Sequence, residues 1–280
     1  MRRLIPPAIC ATLLSCLALL RAQQPAERPL PNIHQLVLEV AAHQKELDSV
    51  RESYTYTSQM TIQDLDSKGG VKKTETVEHE DFFVNGHIIE RTVRKNGQPL
   101  TGHDLEKETE RVTKLVEKAE KTPRGQPLEG PNIGISRILE LMQVQNPRRE
   151  TFRGRPTIVF DFVGRKDVKT HGMAEDASKK LAGTMWIDEK DRQVARLKVH
   201  FDEDFRLAGG LFANVQKGSN FGFDQAPQGD GLWLPTGGEG LMQARILLLK
   251  GIRQRFIERD YDYKRFKVET QQGMGIETKN

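Results

Sequence analysis

Two short stretches of this 280-residue chain set an imidazole and a carboxylate two positions apart, His79-Glu80-Asp81 and His200-Phe201-Asp202. In an extended strand residues i and i+2 share a face, so either pair could serve a metal ion. No two of the seven histidines stand at metal-ligand spacing, and a solvated strand face is the plainer reading of both pairs. Asp202-Glu203-Asp204 reads as a turn. The chain has no Walker A loop, no dinucleotide-binding glycine fingerprint opening a helix, no HEXXH and no G-x-S-x-G elbow. A glycosidase needs only two acids brought together in space, so scattered carboxylates do not exclude one, and nothing argues for one. No catalytic residue, metal ligand or cofactor site is assigned. What does concentrate is apolar: Trp186, Trp233, Phe201, Phe212, Phe221, Phe223 and Met242 all fall in the second half. They can fill a core, or part of their surface can line a cavity for a lipid or acyl chain.

The elements that would position these residues are mostly strands. Gly183 to Phe201 reads as a hairpin with the charged turn Asp188-Glu189-Lys190-Asp191-Arg192. Ala195, Leu197, Val199 and Phe201 share one face of its second strand, and Arg196, Lys198 and His200 the other. Trp186 beside the turn is expected to pin the hairpin to the core. Upstream, Tyr54, Tyr56, Ser58, Met60 and Ile62 alternate with polar residues, Val71 to Val84 forms a second strand, and Asn85-Gly86 is a strong two-residue turn before a third. Downstream, Pro156–Val163, short glycine-broken strands over Phe205–Phe223, Gly231–Pro235, Leu241–Leu249, Arg253–Tyr263 and Phe266–Thr270 continue the pattern. About ten strands result, with no α/β alternation and no sign of a second domain.

Helices are few. Asn32 with Gln35 suits a cap, and an apolar stripe follows over Ile33–Val50. Asp104–Lys121 is dominated by Glu and Lys and reads as a solvated excursion or as a docking arm for an envelope protein partner. Asn132 is expected to cap a third helix, Ile133–Val144, stopped by Pro147 and plugging the concave face of the sheet. Ala174–Ala182 has room for a short fourth.

The N-terminus reads as an export signal. Arg2 and Arg3 precede an apolar run from Ile9 to Leu20, too short to span a bilayer comfortably. Cleavage after Ala22 yields a soluble periplasmic protein. The alternative is an outer-membrane lipoprotein anchored at Cys16, since Leu13-Leu14-Ser15-Cys16 loosely resembles a lipoprotein box. Losing residues 1–22 removes both cysteines, and with them any disulfide or thiol chemistry. It also takes three arginines from 43 basic residues against 39 acidic, so the net charge falls from +4 to +1. A nucleic-acid footprint is not supported. Residues 23–31 form a proline-rich leader, and 32–280 one domain with its charged excursion at 104–121.

Gly183-Thr184-Met185-Trp186-Ile187-Asp188, with Val194-x-Arg196-Leu197, is similar to the hairpin of LolA/LolB-like lipoprotein-sorting proteins, and Gly231-x-Trp233-Leu234-Pro235 resembles the strand that follows it there. The resemblance covers Thr151 to Val268. It implies an α+β fold with a large curved antiparallel sheet, an unclosed β-barrel whose concave face helices plug, and a non-catalytic role. The charged helix at 104–121 departs from that pattern, and no cargo-contacting position can be matched. The expected function is an envelope protein that holds a lipid or lipoprotein acyl chains in the half-barrel. The cavity lining expected is Ile138, Met142, Phe160, Leu197, Val199, Phe201, Met242 and Ile246. A filled-core interaction module, or an envelope hydrolase with acids near His200-Phe201-Asp202, are the alternatives.

Overall fold

The computed structural model describes residues 28–126, 128, 137, 140–207, 213–228, 231–246 and 250–265. The expected export signal, most of the leader and Ile138 lie outside them, as do Phe212 and the strand expected at 266–270. Helix α1 (Ile33–Arg51) starts where the sequence places its cap: the Gln35 amide donates to Asn32 Oδ1 at 3.1 Å. Strands β1 (Tyr54–Leu65), β2 (Val71–Val84) and β3 (His87–Lys95) follow as a meander. Its Asn85-Gly86 turn has φ of 50° and 81°, the left-handed pair that suits the twist of flanking strands.

Next come β4 (Gln98–Pro99), α2 (Gly102–Lys121), β5 (Met142–Phe152), β6 (Arg155–Gly164), the short α3 (Met173–Ser178), β7 (Leu181–Asp188) and β8 (Val194–Phe201). The chain continues through β9 (Phe205–Leu207), β10 (Ala213–Val215), β11 (Asn220–Pro227), β12 (Trp233–Ile246) and β13 (Lys250–Arg265). Among the described residues all thirteen strands belong to one sheet, in the order β4-β3-β2-β1-β13-β12-β11-β8-β7-β6-β5, with β9 and β10 attached beside β12. Every pairing is antiparallel, and β4 and β5 do not meet, so the half-barrel stays open. The hairpin β12–β13 joins the two meanders, with β13 running against β1 from Tyr54↔Arg265 to Asp64↔Gln254.

The count is thirteen rather than about ten because β4 is too short to leave a period, because β5 replaces the end of an expected helix, and because the glycine-broken stretch Phe205–Phe223 holds β9, β10 and the start of β11. In the other direction, the strands expected at Gly231–Pro235 and Leu241–Leu249 fall in one strand, β12. The helix Ile133–Val144 is corrected at its C-terminal end. Arg137, Glu140 and Leu141 are helical, but Met142 opens β5. That strand runs through Asn146-Pro147 as a bulge: pairing slips between Gln145 and Arg148, and Asn146 takes φ 48°. A bulge tolerates proline because it needs no ladder N–H there. Pro147 therefore marks a bend in a strand, where the sequence reads a helix stop.

Among the described residues, the helix that covers the sheet is α1. Its Leu36, Val37 and Val40 pack with Ile158, Phe160, Phe162, Met185, Ile187, Leu197 and Val199 into the core cluster. Each such side chain contributes ~1.5–3 kcal/mol when fully buried, which stabilises a helix that would be marginal alone. Polar contacts set its position. Buried Gln44 donates to Gln193 at 2.8 Å, and Arg51 reaches Gln225 at 2.7 Å and the Trp233 carbonyl at 3.1 Å. Helix α2 lies along β3: the Thr92 amide donates to Glu108 at 2.6 Å, and Arg111 donates to the Glu90 carbonyl at 2.5 Å. Its stripe is thin, so most of it stays exposed, Leu105 included.

Candidate ligand groove

Register shows which side chains share the helix-bearing face, because directly paired residues point the same way. Leu197 on β8, a core residue under α1, pairs with Phe223 on β11; Phe223 pairs with Gly238, Gly238 with Glu258, and Glu258 with Met60. One row along, Val199, Phe221, Gly240, Phe256 and Ile62 follow the same path. The face thus passes from the filled core to a stretch over β11, β12, β13 and β1 where Phe221 and Met242 are exposed.

An apolar groove of about 290 Å³ lies there, lined by Met60, Phe201, Phe221, Phe223, Met242 and Phe256, with Glu258 in its wall. The glycines give it depth. Gly240 and Gly238 stand opposite Phe221 and Phe223, so each ring faces bare backbone. A Cβ at Gly238 would come within 2.5 Å of the Gly222 carbonyl oxygen, so a side chain there would force the strands apart. Phe221 is 44% exposed and Met242 37% exposed. At ~30 Å³ per water, the groove holds roughly ten waters or a segment of alkyl chain. A larger hollow of about 550 Å³ includes Asp161, Lys198 and His200 in its lining, and Glu239 borders both. An alkyl chain would have to desolvate those charges, which favours the smaller groove for an apolar ligand.

The structure separates the residues expected to line a cavity. Phe201 and Met242 line the groove. Met142, Phe160, Leu197 and Val199 belong to the core cluster under α1, and Ile246 sits at the exposed end of β12. Phe221, Phe223, Phe256 and Met60 complete the lining. The first two carry an aromatic signal in the sequence; Met60 and Phe256 are brought in only by the β1–β13 pairing.

The two imidazole–carboxylate pairs part company. His200 and Asp202 are both exposed, and β8 ends at Phe201, so alternation stops between them. His79 and Asp81 do share a face, Asp81 buried and His79 half-buried. Burial lowers the His79 pKa. Burial also raises Asp81 to about 7, against the opposing hydrogen bond donated by Ser58. Asp260, near them on β13, is likewise pushed to about 7 by burial and by Glu258 and Asp81. Among the described residues no three His, Cys, Asp or Glu side chains are placed to hold one metal ion.

The residues of the Gly183–Phe201 hairpin have structural partners. Burial pushes Asp188 up, but Arg155 at 2.5 Å and the amides of Asp191 and Lys190 outweigh it, so its pKa is lowered. Arg155 also bonds Asp191 and lies over the Trp233 ring at 5.4 Å, while Trp233 Nε1 donates to Asp191 at 3.1 Å. Trp233, 3% exposed, is thus the ring that pins the turn. Trp186 is corrected: it points to the face away from α1, half-buried against Phe152, with Nε1 3.3 Å from Glu150. Alternation explains this, since its neighbours Met185 and Ile187 take the inner face.

No protein-family model matches the sequence, and no curated protein does. Solved structures do resemble it. A domain assigned to outer membrane lipoprotein sorting, from Vibrio parahaemolyticus, is 13% identical over 85% of this chain and 94% of its own, with a TM-score of 0.37. A DUF1329 family protein from Desulfovibrio piger is 10% identical over 84% of this chain and 93% of its own, with a TM-score of 0.37. The MucA/MucB complex from Pseudomonas aeruginosa is 9% identical over 80% of this chain and 94% of the matched one, with a TM-score of 0.25. At such identities and scores no ligand, partner or activity transfers. No helix of the described residues is long and apolar enough to cross a membrane.

Proposed function

We propose that this chain is a non-catalytic protein of the bacterial cell envelope that holds an apolar chain, from a lipid or a lipoprotein's acyl groups, in the groove of its half-barrel. The observation that carries the reading is the groove itself, with Phe221 and Met242 exposed on a face whose other half is closed by α1. The export-like N-terminus supports the compartment. An alkyl segment entering the groove gains ~0.8 kcal/mol per buried methylene, so a short stretch of chain gives useful affinity.

N-phenyl-1-naphthylamine, a neutral apolar fluorophore, tests it. Its emission should rise on mixing with the protein, and the exposed-site variants Met242→Lys and Phe221→Lys should weaken binding at least tenfold with an unchanged melting midpoint. Equal binding by both variants, or none by the wild type, would reject the groove. Lipid extraction of protein purified from its own envelope then identifies the ligand class.

A further inference from the structure

Next to the apolar groove, whose wall includes Glu258, the same sheet face turns acidic. Two residues further along the same face of β13 comes Asp260, opposite Ser58; Ser58 faces His79, and Asp81 stands opposite Tyr56. Asp81 is 1% exposed, and its Oδ1 is buried with no hydrogen-bond partner, as is Oδ1 of Asp260. Elsewhere the sheet matches its buried acids with arginine, Arg155 on Asp188 and Arg196 on Asp224. Among the described residues no such ion pair reaches Asp81, Glu258 or Asp260. Arg51, which acts on nearby Tyr263, is engaged by Gln225 and the Trp233 carbonyl.

Buried carboxylates without a counter-charge are costly, and a cation arriving along the groove would supply one. Beside them the Tyr56 and Tyr263 rings stack with centroids 4.8 Å apart, and the Tyr263 hydroxyl is tied to the Pro235 carbonyl at 2.9 Å. Tyrosine faces attract organic cations. No three ligands are gathered for a metal among the described residues, which leaves a cation bound by charge and aromatic contact. We infer that this end binds the ammonium head of an amphiphile whose alkyl chain lies in the groove, with Asp81 and Asp260 as counter-charges and Tyr56 and Tyr263 as the aromatic wall. The inference rests on the groove reading.

The test is calorimetric titration at pH 8 with three probes of one chain length, each below its micelle concentration: dodecyltrimethylammonium, dodecanol and dodecanoate. Dodecyltrimethylammonium should bind at least tenfold tighter than dodecanoate, with dodecanol between. The preference over dodecanol should shrink at pH 5, where the acids are protonated and neither of those two probes changes charge. Asp81→Asn/Asp260→Asn should abolish it while dodecanol affinity stays. Tyr263→Leu should reduce it without changing the pH dependence. Equal affinity for the charged probes, or a preference that survives in the Asn double variant, overturns the ammonium site and leaves the groove standing. Failure of all three probes, dodecanol included, overturns the groove and this inference together. The wild-type pH series needs no variant, so the outcome does not depend on the double variant folding.

Discussion

Under α1, Ile158, Phe160, Met185 and Ile187 are all 0% exposed, and the helix closes over them. Across β11 the same sheet face carries Phe221 and Met242 in the open, two glycines where side chains would otherwise stand, and then carboxylates with unpartnered oxygens. The first region is optimised for packing, at the density of a protein interior. The second contains the features that packing alone would remove. Unsatisfied buried polar groups and exposed rings persist where something else requires them. On the proposed reading, the ligand half of the sheet runs from β11 through β12 and β13 to β1 and β2.

Substitutions should divide along that line. Phe160→Ala is expected to cost ~3–5 kcal/mol and lower the melting midpoint by roughly 10 °C, whereas Phe221→Ala should change stability by under ~1 kcal/mol. Equal losses in thermal unfolding would erase the distinction between the halves. Next, the two tryptophans should separate: Trp233→Ala should lose ~3–5 kcal/mol with the turn it pins, and Trp186→Ala about 1 kcal/mol. A larger loss at Trp186, read by urea unfolding, would restore it as the anchor.

The acidic end should show in the pH profile. With Asp81 and Asp260 raised to about 7 from an ordinary 3.8, the folded protein keeps protons that the unfolded chain releases between about pH 4 and 7. Their contribution is complete below pH 4 and lost as pH rises through 7. Urea midpoints should therefore fall from pH 5 to pH 8, and Asp81→Asn/Asp260→Asn should flatten that fall. A steeper fall in the double variant would place the titrating groups elsewhere. The smallest effect is expected at Glu108. Burial raises its pKa, but Arg111 and the Thr92 amide outweigh this and hold it at about 2. Its contribution is present above about pH 4.5 and is lost only as pH falls through 2. Glu108→Gln should cost under ~1 kcal/mol at pH 7, and no change in unfolding at pH 7 would show that α2 is not tied to β3.

Local rules made several elements legible in the sequence alone. The Asn32 cap, the Asn85-Gly86 turn, β2 at its observed bounds and the alternation of β8 each depend on residues within one turn or one strand of each other. The apolar character of β8 and β12 is equally plain, which is why Phe201 and Met242 are on the expected lining. Tertiary structure decided the rest. A strand's period tells which residues share a face but not which face meets a helix, so the anchoring role expected of Trp186 falls to Trp233, and Phe160 and Leu197 lie under α1. Bulges absorb a residue without a sequence period of their own, so β5 could continue through Asn146-Pro147. The acidic end joins Asp81 to Asp260, 179 positions apart in sequence, through the pairing of β1 with both β2 and β13. That pairing depends on long-range closure of the sheet, and in sequence each of those acids looks like one more solvated charge on a strand.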